Sequence, residues 1–253
     1  MTAPGDARAD RADTDHAGRA DAESAASPDP AGDVRWAVVI PVKPATIGKS
    51  RLDVPGVDRE ALARAIALDT IAAVRAARSV AAVIVVTDDP GVADALRGDA
   101  QIASDAPGTA PSPAPAPARL VPDPGAGLNA AIAAGLEAAQ SVSPGPGVRP
   151  AALLGDLPAL RPADLDGALG LAAAVPGPSV VADADGTGTT LLAGAEARVL
   201  RFGAGSFAAH VAAGAAPLRP APSSTLRHDV DTAAQLAAAR QLGLGPRTAA
   251  LLD

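Results

Sequence analysis

Cysteine and tyrosine are absent from the 253 residues, tryptophan occurs once and phenylalanine twice. Without a thiol there can be no disulfide, no thiolate metal site and no cysteine nucleophile, and a reducing cytoplasm is the expected compartment. With 1% aromatic residues the chain has almost nothing on which to stack nucleic acid bases. Hydrophobic residues still make up 48%, so the core must be built from Val, Leu, Ile and Ala, a composition suited to helix-on-sheet packing. Also missing are a leader-like apolar core at the N-terminus and any run of roughly eighteen apolar residues free of charges or breakers. Neither secretion nor a membrane span is expected.

Charge is unevenly spread. The net charge is −7, and residues 1–33 carry eight acids against Arg8, Arg11 and Arg19, which accounts for five of those seven charges. The remainder is close to neutral, which argues against a nucleic-acid-binding surface but leaves room for a local phosphate pocket. Residues 1–33 are mostly Ala, Asp, Arg, Gly, Ser and Pro, with too little to bury to offset the entropy of ordering, and are expected to be a disordered acidic tail. Residues 34–253 are long enough for one large α/β domain.

From Val34 the pattern changes. Val34 to Ile40 is a short, β-branched apolar run ending at Pro41, which reads as a buried strand. Asp58 caps a helix through about Ala77, Ala82 to Thr87 reads as a second strand, and a short helix runs to Leu96. An Ala/Pro-rich run over 104–118 is expected to be a semi-extended surface insertion. Then follow a short strand at Arg119 to Val121, a helix from about Gly127 to Ala139, a strand at Ala151 to Leu154 and a helix from Pro162 to about Ala174. Ser179 to Asp183 and Thr189 to Ala193 are strands, Phe207 lies in a short helix, and Asp231 to Leu242 is expected to be the last helix. Alternation of this kind predicts a three-layer α/β domain with a mainly parallel, mixed sheet of Rossmann-like type. Ligands in such sheets bind beyond the carboxyl ends of the strands, here after Ile40, Thr87 and Leu154.

Lysine carries the first chemical signal. The chain has only two, Lys43 and Lys49, both in the loop after the first strand and close to Arg51. Compact ammonium groups at the carboxyl end of a strand suit a triphosphate, although a solvated basic loop would look the same. The loop is neither a Walker A sequence nor a Gly-x-Gly-x-x-Gly turn. Asp156, immediately after the most hydrophobic strand of the second half, is a costly place for a carboxylate unless it is solvated, paired or bound to Mg²⁺; the bland alternative is a helix cap. In His228 to Thr232, Asp229 and Asp231 share a side if extended, and Asp231 is equally readable as the N-cap of the last helix. Mg²⁺ needs only one or two protein carboxylates, so Asp156 with Asp231 suffices. The Gly/Thr cluster 183–190 and Phe202 to Phe207 read as a small-anion cradle or as turn chemistry. His210 fits packing better than catalysis, and Ser206 has no triad context that would support a hydrolase.

These segments, in order, resemble the guanylyltransferases that activate 2-phospholactate or phosphoenolpyruvate for coenzyme F-420 synthesis. The resemblance spans about Trp36 to Thr248 and rests on Pro41-Val42-Lys43 to Lys49-Ser50-Arg51-Leu52, on Gly155 to Leu160, on Gly186 to Thr190, on Phe202 to Ser206 and on Asp229 to Thr232. It implies a nucleotide-diphospho-sugar-transferase-like domain with GTP and phosphoenolpyruvate as substrates and Mg²⁺ as cofactor. In its terms Lys43, Lys49 and Arg51 neutralise the triphosphate, Asp156 and Asp231 hold the metal, and Thr189, Gly203 and Ser206 match the positions that hold phosphoenolpyruvate. Asp88 and the turn carrying Asn129 are nucleotide-binding candidates beside Lys43. No nucleic acid or membrane partner is expected, and a homodimer is left open. A sugar-phosphate or molybdopterin nucleotidyltransferase would need a glycine-rich turn after the first strand, which is lacking; a non-catalytic nucleotide-binding module is the remaining rival.

Overall fold

Seven strands are hydrogen-bonded in the order β3-β2-β1-β4-β6-β5-β7 in a computed structural model that describes residues 1, 34–49, 51–105, 114–142 and 147–253. Apart from Met1, the expected acidic tail over 1–33 lies outside the described residues, as does the middle of the expected insertion. In chain order the elements are β1 (Arg35–Pro41), α1 (Arg59–Ala76), β2 (Val80–Val86), α2 (Pro90–Asp105), β3 (Ala118–Val121), α3 (Leu128–Val142), β4 (Val148–Leu153), α4 (Pro162–Ala173), β5 (Ser179–Ala182), β6 (Thr189–Ala193), α5 (Ser206–Ala212), β7 (Ala216–Pro217), α6 (Ala233–Leu242) and α7 (Pro246–Ala250).

The strand sequences explain the three layers. Along β1, Trp36, Val38 and Ile40 pack with Leu68, Ile71 and Val74 of α1 on one face. Ala37 and Val39 pack on the opposite face with Ile132 and Leu136 of α3. Because successive side chains alternate sides, an unbroken apolar run needs helices on both faces, and the sheet has them. On the α3 face a Cβ at Gly135 would collide with Val39 and Val86, so glycine permits the close approach of helix to sheet. A third apolar cluster joins Leu62 and Ile66 of α1 to Val230, Leu236 and Ala239, and so binds the segment before α6 to the first helix.

The chain runs outward from β1 through β2 to β3 and then crosses back to β4 on the other side of β1, all four parallel. The strand order therefore reverses between β1 and β4, and a crevice opens there at the carboxyl ends. Beyond β4 the sheet is mixed, since β6 is antiparallel to both β4 and β5.

Three sequence expectations need correction. The second helix continues past Leu96 to Asp105, carried by helix-forming Arg97, Ala100 and Gln101 despite Gly98. At the far end of the 104–118 run, Ala116 is buried and donates its N–H to Arg75 O at 2.7 Å, while Pro117 O accepts from Val83; this end is edge structure of the sheet rather than a surface insertion. The helix α7 follows α6, with Pro246 in its first turn. Its N-terminal turn is capped by buried Asp69 of α1, whose carboxylate accepts the N–H groups of Arg247 and Thr248 at 3.1 and 2.7 Å.

Candidate active site

The loop after β1 is tied down at several points. Asp89, buried at the end of β2, accepts the Ala45 N–H at 2.8 Å and the Arg64 Nε–H at 2.9 Å. It also accepts the Val92 N–H at 3.0 Å, which makes it the cap of α2. Burial raises the Asp89 pKa, but the Ala45 N–H, Arg64 and the Val92 N–H outweigh it and hold the carboxyl below its ordinary value. From the other side Arg59 donates to the carbonyls of Ala45 and Gly48 at 3.1 and 2.5 Å. Lys49 closes this stretch with φ of 54°, the sole positive value at a non-glycine among the described residues, a conformation that costs an L-residue about 1–2 kcal/mol.

That turn delivers the Lys49 ammonium to two carboxylates. Its Nζ lies 2.7 Å from Asp156 Oδ2 and 2.8 Å from Asp231 Oδ1. Burial opposes the charge on Lys49, yet Asp156 and Asp231 prevail and its pKa is raised. Asp156 follows β4, and its backbone carbonyl accepts the Val230 N–H at 3.0 Å, so Asp229 and Asp231 flank it. Neither acid is a helix cap. Thr232 caps α6 in a reciprocal pair with Gln235, and α4 starts at Arg161 without any side-chain cap. Asp156 Oδ1 is buried with no hydrogen-bond partner among the described residues. Burial, followed by the negative fields of Asp156, Asp183 and Asp231, pushes the Asp229 carboxyl up to about 7.

A cavity of about 390 Å³ sits at this reversal point, walled by Lys43, Ile47, Lys49, Leu128, Asp156 and Asp231. A second, of about 210 Å³, shares Lys43, Ile47 and Leu128 and extends to Asp123 and Ala131. Lys43 is exposed, belongs to both walls, and makes no salt bridge among the described residues. Of the predicted residues, then, Lys43, Lys49, Asp156 and Asp231 come together.

The others lie elsewhere. Arg51 is exposed and lines neither cavity. Asp88, also exposed, accepts the Asp123 N–H at 3.1 Å and so shapes the second cavity from behind. Asn129 is committed to the backbone of Phe202, donating to its carbonyl and accepting its N–H, both at 2.9 Å. Thr189 and Ser206 are buried, each 2% exposed, and Gly203 is exposed. These three line neither cavity; Thr189 begins β6, which pairs with β4 ahead of Asp156, and Leu154 donates to Thr190 O at 3.0 Å. The 183–188 segment is turn chemistry rather than a cradle: its Thr187 and Gly188 N–H groups are taken by Asp183 at 2.9 and 2.7 Å.

Asp89, Arg59 and Arg64 hold the lysine-bearing loop in place, and the sequence reading did not single them out. Asp89 was detectable, because an acid directly before Pro90 at the start of a helix is an N-cap pattern. Nothing local marks Arg59 or Arg64, whose partners are brought to them by the loop's path.

No protein-family model matches the chain. It is 48% identical to the phosphoenolpyruvate guanylyltransferase of Salinispora arenicola over 225 residues, 85% of this chain and 92% of that protein. With the phosphoenolpyruvate guanylyltransferase of Thermomonospora curvata it shares 45% identity over 223 residues, covering 87% and 89%. With that of Streptomyces scabiei it shares 45% over 226 residues, covering 86% and 95%. Among solved structures, one named as a nucleotide-diphospho-sugar transferase from Desulfovibrio desulfuricans G20 superposes with a TM-score of 0.57 at 17% identity, covering 86% of this chain and 93% of that one, a likeness of fold alone. Identity of this extent over nearly the whole of each relative leads to one conclusion: the chain belongs to the phosphoenolpyruvate guanylyltransferase family.

Proposed function

We propose that this chain transfers the guanylyl group of GTP to phosphoenolpyruvate, giving enolpyruvyl-diphospho-guanosine and pyrophosphate, a cytoplasmic step in coenzyme F-420 assembly. The observation that carries the reading is the meeting of Lys49 with Asp156 and Asp231 beside the exposed Lys43, at the point where the strand order reverses. Membership of the family supplies the acceptor and the guanylyl donor.

The chemistry asks little covalent work of the protein. A phosphate oxygen of phosphoenolpyruvate attacks the α-phosphorus of GTP in line, the bond from that phosphorus to the bridging oxygen breaks, and its electrons leave with pyrophosphate. Both reactants are anions, so the site must position them and offset their repulsion. Lys43, exposed and without a salt bridge among the described residues, supplies charge to the polyphosphate, and Lys49 supplies a second charge from a loop fastened by Asp89 and Arg59. Ile47 and Leu128 give the cavities an apolar wall on which the nucleoside can rest. Thr189, Gly203 and Ser206 form the acceptor side; of these, Thr189 begins β6, the strand that pairs with β4 ahead of Asp156.

Asp156 and Asp231 fit Mg²⁺. Asp156 keeps a buried, unbonded oxygen and Asp231 a half-exposed carboxylate, a hard oxygen pair that leaves most of the shell to phosphates and water. When bound there, the metal would neutralise charge on the phosphates; Asp229, within their field, is the further carboxylate at hand.

Mass spectrometry of products from GTP, Mg²⁺ and an equimolar mixture of phosphoenolpyruvate, 2-phospholactate and 3-phosphoglycerate tests the proposal. The expected main product is the guanylylated phosphoenolpyruvate. A different main product replaces the acceptor, and no pyrophosphate release with any of the three leaves a nucleotide-binding module.

A further inference from the structure

His210 of α5 is fully buried, 0% exposed, and both ring nitrogens are engaged. Nε2 accepts the Arg201 N–H at 3.0 Å. An accepting nitrogen carries no proton, so the neutral ring keeps its proton on Nδ1. Nδ1 lies 3.0 Å from Thr189 Oγ1 and therefore donates to it. Burial, then the neighbouring Arg201 charge, lower the His210 pKa to about 4 against a hydrogen bond from the ring to the Ser206 backbone, which raises it; the ring is neutral near neutrality, its Nδ1 proton shared between Thr189 Oγ1 and the Ser206 carbonyl. The ring is further located by Phe202, edge-on at 4.7 Å and 73°, and Phe202 is itself clamped by Asn129.

The consequence for Thr189 is a change of role. A hydroxyl both donates and accepts. Once the imidazole occupies an acceptor site on Oγ1, the remaining O–H is the group free to be presented to an incoming partner, and a hydroxyl so oriented favours an anionic oxygen. Through its other nitrogen the same ring fixes Arg201, from which the chain runs through Gly203 to Ser206.

We propose that His210 is a positioning residue for the phosphorylated acid: one neutral imidazole orients the Thr189 hydroxyl as a donor and anchors the turn that carries Gly203 and Ser206. The role rests on the acceptor side being where the proposed function puts it. It differs from a packing role in predicting an effect on one substrate only, transmitted through Thr189.

Steady-state kinetics on the full chain separate the two. His210→Phe keeps the bulk and removes both bonds; the expected result is a KM for phosphoenolpyruvate raised about tenfold or more, with the KM for GTP within about twofold. His210→Asn, whose amide can replace the Nδ1 donor, should recover most of the loss. In a Thr189→Val background His210→Phe should add less than about twofold, because the group it acts through is gone. Equal changes in both KM values, no change in either, or an undiminished effect in the Thr189→Val background would overturn the role. Should the Phe variant fail to fold, His210→Asn against His210→Gln carries the same test: Asn keeps the donor to Thr189 and Gln the acceptor for Arg201, so Asn must show the lower KM for phosphoenolpyruvate, and the reverse order overturns the proposal. Wild-type protein that releases no pyrophosphate with phosphoenolpyruvate removes the proposed function and this role together; an active wild type with unmoved His210 variants removes only the role.

Discussion

Lys49 Nζ and Asp156 Oδ2 lie 2.7 Å apart across 107 residues of chain, and the same ammonium reaches Asp231, 182 residues away, at 2.8 Å. Three segments thereby share one ion cluster at the β1–β4 crevice. Lys43, six residues earlier in the same loop, has no such partner among the described residues, so the two lysines differ in what their removal does.

Lys43→Ala should lower turnover about 100-fold or more, as loss of a charge contact to the phosphates does, while the thermal midpoint stays within about 2 °C of wild type. Lys49→Met should lower turnover as far and also lower the midpoint, because it leaves Asp156 and Asp231 with uncompensated charge. Pyrophosphate release and thermal unfolding of both variants measure this; equal stability losses would contradict the difference.

Asp89→Ala removes a buried carboxylate that serves Ala45, Arg64 and Val92. Its expected cost is about 2–4 kcal/mol in urea unfolding. Turnover should fall as well, since the lysine loop loses its anchor. A variant that is destabilised but turns over at the wild-type rate would show that the loop keeps its place without Asp89.

Mg²⁺ should raise the thermal midpoint of the nucleotide-free protein in a concentration-dependent way, as any ligand specific to the folded state does. Asp156→Ala should abolish that response, given the unpartnered Oδ1 of Asp156. A persisting response would move the metal to other carboxylates.

Stability against pH should reveal two opposed slopes. Asp229, at about 7 in the fold against an ordinary 3.8, retains a proton that the unfolded chain releases, so its contribution falls as pH rises through that window. His210, at about 4 against 6.5, stays neutral while the unfolded chain protonates, so its contribution is complete above pH 6.5 and is lost as pH falls towards 4. Relative to wild type, Asp229→Asn should therefore gain stability between pH 4 and 7, and His210→Phe should close its deficit as pH falls from 6.5 to 4. Urea midpoints at half-unit intervals read both slopes, and parallel curves for all three proteins would refute them.

Much of the fold was legible before any coordinates. The strands β1 and β2 are apolar runs ahead of turns, and Asp58 caps α1 through the Ala61 N–H at 2.6 Å, as its place ahead of an amphipathic segment predicts. Two lysines in one post-strand loop, and an acid directly after β4, mark the site for the same reason: polar groups at strand ends are unusual unless a ligand or an ion pair uses them.

The sequence by itself determined the alternation of strands and helices, the continuous apolar strands that need covering on both faces, and the carboxyl-end position of Lys43, Lys49 and Asp156, because these depend on neighbours a few residues apart. Only the tertiary structure decided that Thr232 rather than Asp231 caps α6, leaving Asp231 to Lys49. The insertion of antiparallel β6 between β4 and β5, the occupation of Asn129 by Phe202 and the burial of His210 between Thr189 and Arg201 were likewise decided there. Those outcomes turn on strand order and on which charge is desolvated beside which, and both are set by through-space contacts that no local pattern encodes.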